Sequence, residues 1–351
     1  MDSITQAALG AVVGEVILGR KLGWRAAAWG AFLGTFPDLD IIAGLWLDSA
    51  DYLNTHRGIS HSLLLIFLAP LILGGPLAKL HQERGLRFRG AAQMIFWVYL
   101  THVLIDCFTT YGTQVFEPFN NYRLAFNNLS IIDLLFTLPL LLALGSVFFF
   151  KPKSSQRKWI GVLALGLSTA YACLSFGMKT WAYRAIETAR AEALPDTKWV
   201  STAPTLGNTI LWRGLLESED AFWVTYWSPF DKEPPSFDYF PKNHHLLEGY
   251  GHQKERNAVI HFSGGNYVVQ KNSAGNPIVI DMRYSAMRDP KNVTLQPLFQ
   301  WEFFKPEGRT EAFESRRPKR ENIGQGFRLI WERLTGKREK WESVNPPFLV
   351  D

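Results

Sequence analysis

Two stretches of sequence decide the fold class: Ile131–Phe150, IIDLLFTLPLLLALGSVFFF, and Trp159–Met178, WIGVLALGLSTAYACLSFGM. Each is about as long as the roughly 20 residues that a helix needs to cross the hydrocarbon core of a bilayer. Asp133 is the one formally charged residue in either stretch. A soluble bundle of long buried helices is the alternative, but so little charge over a bilayer's length favours a helical membrane domain.

Four further apolar segments precede these two, and none follows them. They are Ile4–Gly19, Trp24–Leu47, Ser62–Ala78 and Gly90–Thr110. Beyond about residue 180 no apolar run is long enough to span a bilayer. We therefore predict a multi-spanning α-helical membrane domain over residues 1–180 with six passes, a helical stalk over 181–195, and a β-rich (α+β) extramembrane domain over 196–351.

The basic residues of the first half are sorted by loop. They concentrate in the first, third and fifth loops, at Arg20, Lys21, Arg25, Lys79, Arg84, Arg87, Arg89, Lys151, Lys153, Arg157 and Lys158. The second and fourth loops nearly lack them. The positive-inside rule then places the odd-numbered loops in the cytoplasm, and the amino terminus, the even-numbered loops and the carboxy-terminal domain on the non-cytoplasmic side.

The carboxy-terminal region has the composition of an antiparallel sheet. Segments rich in β-branched and aromatic residues predict strands at Thr209–Glu217, Ala221–Ser228, Asn257–His261, Tyr267–Gln270, Ile278–Tyr284 and Leu298–Phe304. Near the end, Phe327, Ile330, Trp331 and Leu334 recur at helical spacing and predict an amphipathic helix. We expect that stripe to pack on the sheet; contact with a membrane surface is the alternative.

Composition excludes several classes of function. The net charge is +5, but the basic residues of the second half are dispersed among acidic ones, so no nucleic-acid partner is expected. Cys107 and Cys173 both lie in apolar segments, which supports neither a disulfide framework nor a thiolate metal site. The histidines of the second half have no acid or cysteine at ligand spacing, so we interpret them as surface or sheet residues.

Ionisable side chains in the membrane half fall together on one predicted side, the non-cytoplasmic one. A charge at the bilayer centre costs about 2.5–3.5 kcal/mol on insertion scales, so such residues need a partner or a function. His102 and Asp106 are spaced i, i+4, which places imidazole and carboxylate on one helix face. Asp38 and Asp40 follow the helix-breaking Pro37, and the motif HRGISHS begins at residue 56.

Together these motifs predict a metal site. The candidate ligands are Asp38, Asp40, His56, His61, His102 and Asp106. Nitrogen and oxygen ligands without thiolate suit Zn²⁺, or alternatively Mn²⁺ or Fe²⁺. A purely structural polar network is the alternative.

Catalytic roles are predicted for two of these residues and for Arg57. Asp38 or Asp40 would orient or deprotonate a nucleophilic water. Arg57, between two histidines, is either a phosphate clamp or the counter-ion of Asp38 or Asp40, and we favour the clamp because acids that bind a metal already have a partner. Asp2 and Gln6 begin the first helix at the same predicted face, and their participation stays open.

The motifs MDSITQAALG at residues 1–10, PDLD at 37–40, HRGISHS at 56–62, THVLID at 101–106 and TTYGTQ at 109–114 resemble the YdjM-type family of membrane-bound metal-dependent hydrolases. These are also described as LexA-binding, inner-membrane-associated proteins. The resemblance covers roughly residues 1–150 and implies the bacterial inner membrane. Many relatives have His where this chain has Gln6. A distant similarity of the family to zinc-dependent phospholipase C and related nucleases implies phosphoester hydrolysis.

The expected function is therefore a membrane-embedded metal-dependent hydrolase of phosphoesters. A site at the outer leaflet favours a lipid or amphiphilic substrate, with membrane lipids as partners. An ion- or proton-coupled transporter is the first alternative, since intramembrane acids and histidines also mark ion pathways. A membrane scaffold with a structural polar cluster is the second. The sequence shows no internal repeat, and the ligands cluster on one side, which favours the enzyme.

Overall fold

The computed structural model describes residues 1–289, 294–316, 323–342 and 348. The chain forms two compact units. The first contains Met1–Ala43, Thr55–Phe176 and Leu206–Asn208, and the second contains Gly44–Asn54, Gly177–Thr205 and the described part of Thr209–Asp351.

The first unit is built from helices. They are α1 (Ser3–Leu22), α2 (Trp24–Thr35), α4 (Leu63–Leu80), α5 (Phe88–Cys107), α6 (Leu134–Phe149) and the start of α7 (Ser155–Ala193); the short α3 (Ser49–Thr55) lies mostly in the second unit. The Asp2 carboxylate begins α1 by accepting hydrogen bonds from the amides of Ile4 and Thr5. The backbones of α1 and α2 pack directly against each other at Gly10, where a Cβ would lie only 2.3 Å from the carbonyl oxygen of Gly30.

Three helices among the described residues are long and apolar enough to cross a membrane. They are α4, α5 and α7, while α6 is a shorter apolar helix. Helix α7 runs without a break from the sixth predicted segment through the residues predicted as a stalk. The predicted second pass ends as an α-helix at Thr35, and a 3₁₀ segment, Pro37–Leu45, follows it. The helical character of the amino-terminal region is confirmed; the six-pass arrangement stays a prediction.

The second unit is rich in antiparallel β-structure. One sheet has the order β1 (Lys198–Pro204), β2 (Trp212–Glu217), β3 (Ala221–Trp227), β4 (Phe237–Pro241). A second has the order β10 (Phe313–Arg316), β9 (Gln300–Phe303), β6 (Pro277–Asp281), β5 (Tyr267–Lys271), and β7 (Met287–Asp289) pairs with β8 (Thr294–Gln296). Leu215 and Val224 of the first sheet share one hydrophobic cluster with Val268 and Ile280 of the second. The predicted β-rich region is confirmed, but as two four-stranded sheets.

One predicted strand is wrong. Asn257–His261 lies inside α8 (Gln253–Ser263). The Glu255 carboxylate accepts a hydrogen bond from the His252 amide at 2.7 Å in a capping box, and Gly264 ends the helix at a φ of 60°. Gly264, which lies between this segment and the next predicted strand, therefore terminates a helix.

The amphipathic helix near the end is α9 (Ile323–Leu334), but its buried face differs from the predicted stripe. Leu329 and Leu334 are buried, whereas Phe327 and Trp331 are exposed. The reason is Arg333, whose guanidinium lies 2.7 Å from the Asp231 carboxylate and donates to the carbonyl oxygen of Tyr226. This buried ion pair turns α9 toward Leu329. The α10 helix (Glu339–Glu342) follows it.

Candidate metal centre

Three separate segments of the first unit supply the candidate ligands. Asp38 lies in the 3₁₀ segment that begins at Pro37, and proline has no N–H with which to continue α2. His61 ends a short 3₁₀ turn, Ile59–His61, just before α4. His102 and Asp106 lie on one face at the end of α5.

These segments place four side chains around one point. Asp38, His61, His102 and Asp106 each offer one ligand atom, and the four atoms lie within 4.8 Å of one another. Nε2 of His61 is 3.1 Å from Nε2 of His102, 3.3 Å from Oδ1 of Asp38 and 3.4 Å from Oδ2 of Asp106. In a tetrahedral zinc site with bonds of about 2.0–2.1 Å, neighbouring ligand atoms are about 3.3–3.4 Å apart. Nε2 of His102 is farther from the two carboxylates, 3.8 Å from Oδ1 of Asp38 and 3.9 Å from Oδ2 of Asp106, so the group could hold a single ion with His61 nearest to the tetrahedral spacing.

The outer nitrogens of both histidines are already engaged. Nδ1 of His102 lies 2.7 Å from the carbonyl oxygen of Gly34, which can only accept, so Nδ1 carries the proton. The Ser60 hydroxyl donates to Oδ2 of Asp40 at 2.9 Å, and its oxygen lies 2.8 Å from Nδ1 of His61. That hydroxyl oxygen therefore accepts the Nδ1 proton of His61. Both neutral imidazoles are left with their Nε2 lone pairs facing the cluster.

Two lone pairs facing each other at 3.1 Å require a positive charge between them, either a proton or a metal ion. Burial alone would lower the pKa of His61, but the carboxylates of Asp106 and Asp38 raise it above its ordinary value, which favours the proton when no ion is bound. Oδ2 of Asp106 is also fully buried; it has an ion-pair contact with Nε of Arg57 at 3.2 Å but no contact with hydrogen-bond geometry from the described residues. A divalent cation would supply positive charge both to the facing imidazoles and to this oxygen, so the residues present fit one.

Asp106 is held in place by its other contacts. The carboxylate is fully buried, and its Oδ1 accepts a hydrogen bond from Nε2 of Gln6 at 2.8 Å. The Met1 amino group contacts the same oxygen. Gln6 therefore acts on a ligand of the group, whereas Asp2 caps α1. A hydrogen-bonded carboxylate of this kind keeps its ligand oxygen oriented.

Asp40 and His56 lie beside this group, and neither is one of its four ligands among the described residues. Nδ1 of His56 lies 2.8 Å from Oδ1 of Asp40, whose Oδ2 accepts from the Arg57 amide at 2.9 Å. These contacts make Asp40 a hydrogen-bond acceptor that orients His61 through Ser60, and direct ligation by Asp40 or His56 stays a prediction.

Arg57 contacts a ligand that the sequence analysis did not pair with it. Its Nε lies 3.2 Å from Oδ2 of Asp106, and its guanidinium lies 4.6 Å from the ring centre of Tyr111. The side chain is buried, and the backbone adopts a φ of 57°, which is uncommon for a residue other than glycine. Such a conformation persists where surrounding contacts determine it, and it clusters at functional sites.

The residues that sequence reasoning missed have supporting roles. Ser60 and Tyr111 both lie inside motifs quoted above. Nothing in their spacing shows that the Ser60 hydroxyl connects Asp40 to His61, or that the Tyr111 ring contacts the Arg57 guanidinium. The Gly34 carbonyl carries no signal at all, because any residue offers one.

A family model described as YdjM inner membrane protein matches residues 1–182. The uncharacterized protein YfhP of Bacillus subtilis (strain 168) is 27% identical over 100 residues, which are 28% of this chain and 29% of that protein. The match therefore spans less than a third of that relative's length. No solved structure matches the chain. Because the family model covers more than half of the 351 residues, the chain belongs to the YdjM inner membrane protein family.

Proposed function

We propose that this protein is a membrane-embedded metal-dependent hydrolase that cleaves phosphoesters of a lipid or amphiphilic substrate. The observation that carries the proposal is the pair of Nε2 atoms of His61 and His102, which face each other while both Nδ1 atoms are engaged elsewhere. Asp38 and Asp106 add the two carboxylates that complete the group.

The donor set favours zinc. Two imidazoles and two carboxylates, with no thiolate among the four, are ligands that Zn²⁺ accepts and that Mn²⁺ and Fe²⁺ accept as alternatives. A bound zinc ion would supply a water with a pKa near 7 and would polarise a phosphoryl oxygen. The side chains around it then determine how substrate and proton are handled.

Asp38 is the side chain of the group that substrate can reach. Its exposed fraction is 20%, whereas the side chains of His61, His102 and Asp106 are at most 1% exposed. We therefore assign His61, His102 and Asp106 to holding the ion, and Asp38, at the open side of the group, to orienting the attacking water and accepting its proton. Asp40 fixes the orientation of the His61 ring through the Ser60 hydroxyl. Arg57 stabilises the charge that develops on the phosphoryl oxygens.

The position of the group along the helices supports a lipid-like substrate. His61 immediately precedes α4, and Asp106 lies at the end of α5, so both belong to the same end of two candidate membrane helices. His102 is one turn deeper, about 6 Å along α5. The polar layer on each side of a bilayer is also about 5–7 Å thick. A phosphate at headgroup depth would lie level with these ligands.

The orientation proposed for this site is non-cytoplasmic, in the bacterial inner membrane, with the carboxy-terminal unit on the same side. The loop charges described above support it. A reporter fused after Met178 should read as non-cytoplasmic, and one within Lys79–Gly90 as cytoplasmic. The reverse pattern would overturn the orientation and leave the metal site unaffected.

The experiment that tests the activity uses the full chain in detergent and bis(p-nitrophenyl) phosphate as substrate. Hydrolysis should disappear after chelation, return with Zn²⁺, and fall by at least about 100-fold in Asp38→Asn, the loss expected of a general base. Glu83→Gln, in an exposed loop, is the matched control and should retain full turnover. Hydrolysis that survives chelation, or survives in Asp38→Asn, would refute the proposed function.

A further inference from the structure

The segment Gly44–Asn54 belongs to the second unit, although its neighbours on both sides in the sequence belong to the first. The chain leaves the first unit after Ala43 and returns to it at Thr55. Asp38 and Asp40 lie just before this excursion, and His56 lies just after it. The two halves of the metal centre's polar network are therefore joined through a segment that the carboxy-terminal unit holds.

Ionic contacts hold the tip of that segment. Nζ of Lys254, in the first turn of α8, lies 2.5 Å from Oδ2 of Asp48 and 2.8 Å from Oδ2 of Asp51. The Glu311 carboxylate accepts two further hydrogen bonds, both at 3.1 Å, from the amide and the hydroxyl of Ser49. Lys254 and Glu311 thus both bind residues 48–51.

The segment is compact. The Tyr52 amide donates to the carbonyl oxygen of Asp48 at 2.9 Å, and the Asp51 amide donates to the Asp48 carboxylate at 2.8 Å. A Cβ at Gly44 would lie 3.1 Å from the Tyr52 ring, so the two ends approach each other closely. Asp40 lies shortly before Gly44 and His56 shortly after Tyr52, so the backbone connects the held tip to both of these residues.

We propose that Lys254 is a positioning residue for the metal centre: by holding Asp48 and Asp51 it fixes the spacing between Asp40 and His56, and through Asp40 and Ser60 the orientation of His61. The inference rests on the proposed function only in requiring that the site binds a metal. Coupling of this kind is reciprocal, so metal binding should also order the segment.

The test measures Zn²⁺ affinity of the full chain by competition with a chelator. Lys254→Glu, which places three acids together, should weaken Zn²⁺ binding by about three- to tenfold, since exposed ion pairs contribute little each and act here as a group. Lys254→Arg should restore wild-type affinity, as should the charge swap Lys254→Glu with Asp48→Lys and Asp51→Lys. Lys271→Glu, a charge reversal at another exposed lysine, on β5, should leave the Zn²⁺ affinity unchanged.

Two further readouts separate positioning from general destabilisation. Zinc should slow amide exchange in residues 44–61 of the wild type but not of Lys254→Glu, and the visible spectrum of the Co²⁺-loaded variant should differ from that of the wild type. Equal Zn²⁺ affinity in Lys254→Glu and wild type would overturn the coupling but not the proposed function. The same holds if neither Lys254→Arg nor the charge swap restores wild-type affinity. A wild-type chain that binds no metal would overturn the coupling together with the proposed function.

Discussion

Replacing Asp106 with Asn is expected to weaken Zn²⁺ binding by at least about 100-fold. The substitution keeps the shape of the side chain but removes the charge of a fully buried ligand. Sites with four protein ligands bind Zn²⁺ with apparent free energies of about 10–16 kcal/mol, so one ligand in four carries about 3 kcal/mol or more. His102→Ala should lose metal to a similar extent, because it removes one of the two facing imidazoles.

Elemental analysis of both variants after dialysis against a chelator of known affinity checks this result. Asp133→Asn is the matched control. Asp133 is equally buried in the same unit, but it caps α6 and accepts a hydrogen bond from the Tyr171 hydroxyl at 3.1 Å. The Asp133→Asn protein should retain its metal. Wild-type metal content in both Asp106→Asn and His102→Ala would show that this pair does not bind the ion.

Arg57→Lys should keep its metal and its fold but lose phosphoester turnover by about 2–4 kcal/mol of transition-state stabilisation. Lysine retains the charge beside Asp106, but it lacks the planar fork that binds two oxygens of a phosphate. Steady-state hydrolysis together with metal analysis measures the two effects separately.

The structure adds a second role for Arg57, and a second substitution is needed to distinguish that role from the phosphate clamp. Its Nε pairs with Asp106, so the guanidinium is also a counter-ion, though of a different acid from the two considered in the sequence analysis. Arg57→Gln removes that charge. If the bound metal already compensates Asp106, Arg57→Gln should retain metal; loss of metal there, or full activity in Arg57→Lys, would contradict the clamp.

The site residues that could be found from sequence are polar or charged side chains whose placement in an apolar segment costs free energy. Histidine and aspartate in apolar segments require compensation, and the i, i+4 spacing of His102 and Asp106 shows which face they share. Ser60 and the Gly34 carbonyl act by position alone, and ordinary groups of this kind occur everywhere in a chain. Their roles depend on the fold bringing distant segments together, which spacing does not reveal.

The fold likewise has elements that the local sequence reveals and others that depend on contacts between distant residues. Long apolar segments predicted helices well, because uncharged length is itself the signal. The error at α8 arose because the β-branched Val259 and Ile260 favour a strand locally, whereas the capping box and the packing of Phe262 favour a helix. Nothing in residues 44–54 indicates that they belong to the second unit, since that assignment depends on Lys254 and Glu311, far along the chain.

The most direct test of the account is X-ray absorption at the zinc edge of the zinc-loaded full chain. We expect a shell of nitrogen and oxygen atoms at about 2.0–2.1 Å, with scattering from two imidazole rings, and the loss of one ring in His61→Ala. Cys107, next to Asp106 in the sequence, offers the nearest alternative ligand type along the chain. Sulfur at about 2.3 Å, or a shell without imidazole, would contradict the assignment of Asp38, His61, His102 and Asp106 as the metal site.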